Sequence, residues 1–330
     1  MSQPREQSPQ VSVVIPTRRR PALLRRCLEA LQAQQIPAES VEILVCDDGP
    51  DAATLEVVES LAQRCPDGPV LRYLVPGGEH GPAAARNRGW RQARAPVVAF
   101  TDDDTVPASD WLVRGLQAML PGVSAVSGRI IMPVPPRPND YERDASGLAA
   151  AEFATANCFV RREALEKVNG FDPRFSIAWR EDSDLQFSLM EAGLMIVRAP
   201  DARVLHPIRP AGFAASLRMQ RKIVFDSLLF RKHPKFYRER IRPGLPWFYL
   251  LTTLAGSIAV GCALAGAWKA AGASFGLWVL LTAWFFARRA RGTSRRPLDL
   301  ADLLVTSVLI PPLSIGWRVV GMARFGGGIP

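Results

Sequence analysis

Two hydrophobic patterns divide this chain. As far as about residue 242, apolar positions interleave with charged and polar ones, and from residue 244 onward long uncharged runs take over. In the first part, the short apolar runs 11–15, 41–46, 70–75 and 97–101 predict strands. Between them, residues 21–35 carry Leu23, Leu24, Cys27, Leu28 and Leu31 at helical spacing, and 52–64 and 83–93 also predict helices. Repeated strand-then-helix units imply an α/β domain with a parallel sheet covered on both faces. Farther on, 154–160 predicts a strand, 163–168 a short helix, and 181–192 an amphipathic helix stopped by Gly193. The proline-rich, polar stretch 133–147 interrupts this alternation and reads as a mobile loop near a binding site.

The second pattern belongs to a membrane. Residues 244–268 run for about 25 positions without a charge, roughly 37 Å as a helix, and 270–287 for about 18, enough for a helical hairpin of two spans. Trp247, Tyr249, Trp268 and Trp284 stand near the ends of these runs, where amphipathic rings favour the interface. Arg238, Arg240 and Arg242 precede the hairpin, and Arg288, Arg289, Arg291, Arg295 and Arg296 follow it, so both ends are expected on the cytoplasmic side. Residues 303–317 contain Pro311 and Pro312 and read as too short to span, hence interfacial or re-entrant. Two buried helices of a soluble domain are the competing reading.

Composition narrows the partners. The net charge is +10, but the basic residues cluster at 218–242 and 288–296, beside the apolar runs, which suits membrane lipids and not nucleic acid. Five scattered cysteines with no C-x-x-C pair argue against a disulfide framework or zinc site. The polar segment 1–10 has no apolar signal core; it is expected to be disordered, with the following domain cytoplasmic at the inner membrane.

The candidate chemistry lies at strand ends. Thr17, Asp47, Asp48 and the triplet Asp102, Asp103 and Asp104 follow predicted strands, and α/β sheets bind ligands outside the carboxyl ends of their strands. Each aspartate alone could be a cap or turn residue; at several strand ends together they converge on one crevice. Carboxylates suit Mg2+ or Mn2+, and alternation puts Asp102 and Asp104 on one side, whereas an isolated acidic triplet would be a solvated turn. Residues 81–87 set a turn, a helix start and Arg86 beside the same strand end, all suited to phosphate oxygens, although Arg86 equally fits a surface. Asp182 opens a helix, either as a cap or as a general base for an acceptor hydroxyl. His206, after a predicted strand, offers a metal ligand or a structural imidazole.

In order along the chain stand VSVVIPT, ILVCDDG, GPAAARNRG, FTDDD, NGFDPRF and REDSDL, and on these motifs residues 11–206 resemble the family-2 glycosyltransferases. The resemblance implies a GT-A, Rossmann-like nucleotide-diphospho-sugar transferase domain over 11–210. Beyond it are expected amphipathic or interfacial helices at 211–243, two transmembrane helices at 244–287, and a basic cytoplasmic loop with the interfacial or re-entrant helix at 288–330. It further implies that Pro16, Thr17, Arg19, Asp47, Asp48, Arg86, Asp102, Asp103 and Glu181 hold the nucleotide sugar. Asp102, Asp104 and His206 would bind Mn2+ or Mg2+, and Asp182 would be the catalytic base of an inverting transfer to a lipid-linked or glycan acceptor. Asp47 or Asp48 against a pyrimidine edge favours UDP or TDP donors. Cys46 and Pro50 depart slightly from the commoner V-D-D-G-S wording, and the Q-x-x-R-W motif of processive synthases is absent after Gln220, which favours transfer of one or a few sugars. A polyprenyl-phosphate glycosyltransferase, with Arg218, Arg221 and Lys222 near the acceptor phosphate, is the alternative; a nonenzymatic membrane scaffold is the third.

Overall fold

A computed structural model describes residues 8–328 and 330. The disorder expected of 1–10 falls, for 1–7, outside the described residues. Its end belongs to the fold, since Pro9 is buried and the Gln10 amide donates to Ser40 O at 2.8 Å.

Two compact units divide the chain. The first takes in the chain as far as Pro133 together with Leu148–Pro207, and the second Val134–Gly147 with Ile208–Pro330. In chain order the elements begin β1 (Val11–Thr17), α1 (Pro21–Gln32), β2 (Val41–Asp47), α2 (Ala52–Arg64), β3 (Val70–Leu74), α3 (Pro82–Gln92) and β4 (Val97–Thr101). They continue with β5 (Val106–Pro107), α4 (Trp111–Ala118), β6 (Val123–Ile131), α5 (Asp140–Ser146), β7 (Asn157–Arg161), α6 (Arg162–Val168), α7 (Glu181–Glu191) and β8 (Met195–Leu205).

The first unit is built on one sheet of eight strands in the order β3-β2-β1-β4-β7-β6-β8-β5. Every position of β1 and β2 except Pro16 is buried, as befits central strands covered on both faces. Helix α1 contributes Leu24, Leu28 and Leu31 to the same core, each fully buried and stabilising by about 1.5–3 kcal/mol relative to exposure. Ser12 and Glu42 inside this core are satisfied. Ser12 Oγ donates to Glu42 Oε1 at 2.6 Å, the Arg94 amide donates to the same oxygen at 2.6 Å, and the Arg94 and Arg72 guanidinium groups reach Oε2.

The expected all-parallel sheet is half right. Strands β3, β2, β1 and β4 are mutually parallel, but β7 runs antiparallel to both β4 and β6, and β5 antiparallel to β8. Strand alternation reads the face of a strand and not its direction, which depends on the route of the chain before it. From β1 the chain moves outward to β2 and β3 and then crosses back to β4, so a topological switch lies between β1 and β4. The C-terminal ends of β1, β2, β4 and β8 share one edge, because β8 is parallel to β6 and both oppose β7.

In the second unit, α5 is followed by α8 (Ala215–Met219), α9 (Val224–Lys232), the single turn α10 (Pro234–Phe236), α11 (Trp247–Leu264), α12 (Trp268–Ala290) and α13 (Pro297–Phe325). The loop expected over 133–147 is therefore corrected in its second half, while 133–139 is irregular as expected. Asn139 and Glu142 form a capping box that starts α5, with the Glu142 amide 2.9 Å from Asn139 Oδ1 and the Asn139 amide 2.8 Å from Glu142 Oε2. Asp140 on α5 then pairs with Arg289 of α12. Helices α11 and α12 form an antiparallel hairpin in which Phe248 meets Trp284 at 5.0 Å and Phe285 at 5.4 Å. Segment 303–317, expected to be too short to span, is the middle of the 29-residue α13, which continues through Pro311 and Pro312. Apolar helices tolerate such prolines when the turn on each side keeps its bonds. Among the described residues three helices, α11, α12 and α13, are long and apolar enough to cross a membrane.

Candidate active site

The acidic triplet follows β4 at the switch point, in a tight turn. The Thr105 amide bonds Asp102 O at 3.2 Å, and Thr105 Oγ1 lies 2.8 Å from the same carbonyl and 2.7 Å from Thr101 Oγ1. This turn sends the three carboxylates to different tasks. Asp103 points across the switch into β1, where Thr17 Oγ1 donates to it at 2.8 Å and Arg20 at 3.2 Å. Burial pushes its carboxyl up to about 6, with Arg20 and Thr17 opposing and the charges of Asp104 and Asp102 adding. Asp102 and Asp104 turn instead toward His206, which β8 delivers to the same edge. One ligand atom from each of the three lies within 4.8 Å of the others. His206 Nε2 is 3.5 Å from Asp104 Oδ1, while its Nδ1 is buried without a hydrogen-bond partner.

Two carboxylates and an imidazole fit a divalent cation. Around an octahedral ion at about 2.1 Å, neighbouring ligand atoms lie about 3–4 Å apart, so this trio needs only small movements to close on one. The charge of two acids held side by side calls for a cation.

Arg86 sits behind the cluster. It is 2% exposed, and its guanidinium donates to Asp102 Oδ1 at 2.7 Å and to Glu181 Oε1 at 3.2 Å. Expected either beside phosphate or on a surface, Arg86 is not on the surface: it is buried as a tie between α3, the β4 end and α7. Its neighbour Asn87 explains why GPAAARNRG and NGFDPRF occur together. The Asn87 side chain donates to Phe171 O at 2.7 Å and accepts from the Phe171 amide at 2.9 Å, clamping the second motif onto the first. Phe171 packs edge-on against Phe100, 5.3 Å between ring centres.

Helix α7 starts from Arg180, a non-glycine residue at φ 76°, a left-handed conformation that costs energy and recurs at functional sites. It puts Glu181 and Asp182 in the first turn. Glu181 is buried with Oε2 unpartnered; Asp182 is half-buried, with Oδ1 accepting from the Ser183 amide at 2.7 Å and Oδ2 without a partner among the described residues. Burial raises both carboxyls. Each also feels Arg86 pulling the other way, and the Asp182 charge raises Glu181 further.

The second strand end is arranged differently. Asp47 is fully buried, accepting from Tyr73 Oη at 2.7 Å and the Gly49 amide at 2.9 Å, so its oxygens are committed to the fold. Asp48 accepts from the Gly81 amide at 2.8 Å, with His80 and Arg18 at 3.3 and 3.5 Å. Gly81 has φ 102°, and a Cβ there would meet Ser176 O at 2.7 Å, so the turn before α3 requires glycine. Pro16 is half-buried within β1, and Arg19 is exposed at φ 52° beyond it. Sequence reasoning passed over Arg20, Tyr73 and Thr105. Arg20 is hidden in a run of three arginines, and Tyr73 and Thr105 are unremarkable residues whose partners are distant in sequence.

A twisted α/β sheet that gathers an Asp, Asp, His trio and a helix-opening carboxylate at its switch-point edge defines a sugar transferase of the GT-A class. The Glycosyl transferase family 2 profile matches residues 12–168, and that of Glycosyl transferase family group 2 matches residues 97–317. The chain belongs to the family-2 glycosyltransferases. Glycosyltransferase AglE of Haloferax volcanii is 30% identical over 216 residues, covering 62% of this chain and 69% of that protein. A GalNAc(5)-diNAcBac-PP-undecaprenol beta-1,3-glucosyltransferase of Campylobacter jejuni is 31% identical over 124 residues, 38% of this chain and 39% of that protein. The structure of a mannosyltransferase, PcManGT from Pyrobaculum calidifontis in complex with GDP-Man and Mn2+, superposes with a TM-score of 0.57 at 22% identity, covering 92% of this chain and 88% of that one. That likeness establishes the shared fold.

Proposed function

We infer that this glycosyltransferase moves a sugar from a nucleotide diphosphate to a hydroxyl of a membrane-associated glycan or glycolipid, with inversion and with a divalent cation. The observation that carries the reading is the approach of Asp102, Asp104 and His206 donor atoms to within 4.8 Å at the C-terminal edge of the sheet. Mn2+ or Mg2+ held there would offset the charge of the departing diphosphate. Asp182 takes the proton from the acceptor hydroxyl as that oxygen bonds to the anomeric carbon and the bond from that carbon to the donor phosphate breaks. One displacement inverts the centre. Its raised pKa and unpartnered oxygen suit Asp182 to this role. Thr17, Asp48, Asp103 and Glu181, with Pro16 and Arg19 at the β1 end, would surround the nucleotide sugar, while Asp47 and Arg86 would hold that surround in shape.

A lipid-linked acceptor is supported by the undecaprenol-linked substrate in the name of the Campylobacter jejuni relative and by the three apolar helices of this chain. The arginines flanking α11 and α12 support a catalytic unit on the cytoplasmic side of the inner membrane. The donor is tested by calorimetry of the detergent-purified protein with UDP, TDP and GDP, in manganese and again after chelation. Metal-dependent binding of one nucleotide is expected; binding of none, or binding indifferent to the metal, would sink the reading.

A further inference from the structure

The second unit contains a cavity of about 950 Å³, of a size that takes a substantial organic ligand. It lies at the end of the α11–α12 hairpin where α11 begins and α12 finishes. Its walls are of two kinds. Trp247, Phe248 and Phe285 give it an apolar, aromatic side continuous with the membrane-length helices. Arg143, Arg242, Arg288 and Arg289, opposed by Asp140 and Asp144, make the other side charged.

The charges do not cancel. Arg289 and Arg143 are both paired with Asp140. Arg242 and Arg288 have no ion pair among the described residues, and Arg288 only stacks over Trp284 at 5.5 Å. Four arginines against two aspartates leave two positive charges facing the cavity. Burial, followed by the Asp140 charge, also raises the Asp144 carboxyl, which weakens the acidic side further.

We propose that this cavity binds an amphiphile whose head is a dianionic phosphate and whose tail is a long hydrocarbon, the head meeting Arg242 and Arg288 and the tail leaving along the aromatic wall. Arginine forks match phosphate oxygens, and a dianion balances the two surplus charges where a singly charged phosphodiester lipid would not. The occupant fits the transferase reading when it is a glycan linked to its lipid through a diphosphate, whose two ionised phosphates supply the two charges and whose sugar supplies the hydroxyl. That identity rests on the transferase reading; the binding itself does not.

The test titrates the detergent-purified full chain with farnesyl phosphate, farnesol, a short-chain phosphatidylglycerol and inorganic phosphate. Farnesyl phosphate should bind at least about tenfold more tightly than the other three. The double variant R242Q/R288Q should lose that preference and bind metal and nucleotide as the parent does. Equal binding of farnesol, phosphatidylglycerol or inorganic phosphate by the parent overturns the proposal without recourse to any variant. A folded double variant that keeps the full preference overturns it as well. Nucleotide binding, read on the same samples, reports on the transferase reading separately.

Discussion

Arg86 donates to Asp102 at 2.7 Å, so a helix residue far from solvent holds the first acid of the β4 triplet. The same guanidinium is the cationic partner of buried Glu181. R86A leaves that carboxylate without a cation and should destabilise the protein by roughly 3–5 kcal/mol. R86K keeps the charge but loses the fork and should fall between parent and R86A. Thermal unfolding of the three proteins in one detergent decides it, and equal midpoints would mean the tie is slack.

Removing a donor from the trio should uncouple nucleotide binding from metal. For D104A and H206A, manganese-dependent affinity for the preferred nucleotide is expected to drop by about tenfold or more, toward the value the parent shows after chelation. Calorimetry with and without chelator measures it. If H206A keeps the parent's metal response, His206 belongs to the fold alone.

D182N should bind donor normally and transfer sugar at least about 100-fold more slowly, because the amide cannot accept the proton. The parent supplies a second signature. A base must be ionised, and burial raises the Asp182 carboxyl above its ordinary 3.8, so kcat should fall on the acid side at a pH above that value. An acid limb at or below 3.8, or full turnover in D182N, rules the role out.

Glu42 predicts an acid-labile core. Burial alone would raise its carboxyl, but bonds from Ser12, the Arg94 amide, and the Arg94 and Arg72 side chains outweigh burial and hold it below 4.5. A depressed folded pKa means stability present above about pH 4.5 and lost as pH falls through the lower folded value. E42Q should cost roughly 1–3 kcal/mol near neutrality and flatten that acid loss. Unfolding curves at neutral and acid pH for both proteins test the pairing.

Much of the site could be read before folding because its residues stand where short-range rules put them. Asp102 and Asp104 follow the VVAFT strand, His206 follows β8, and Asp182 opens a helix, so strand ends and helix starts alone mark them. The stretch 106–131 was less legible. It carries β5, α4 and β6, yet VSAVSGRII mixes small and polar residues without a clean period, and its burial comes from β7 and β8 packing beside it.

Taken alone, the sequence determined the α/β alternation, the apolar hairpin of α11 and α12 and the acids at the strand ends, since each depends on residues within a turn or a strand of one another, but it cut the third apolar helix short at its two prolines. Tertiary structure decided the rest, because partners distant in the chain set it. Only the fold could make β7 antiparallel, or commit Asp47 to Tyr73 and Asp103 to Thr17 and Arg20. Arg86 shows the reason most clearly. A lone arginine at a helix start suits phosphate, but 16 residues away Asp102 and 95 residues away Glu181 offer it buried carboxylates, and in a site closed to water the nearer opposite charge takes the guanidinium.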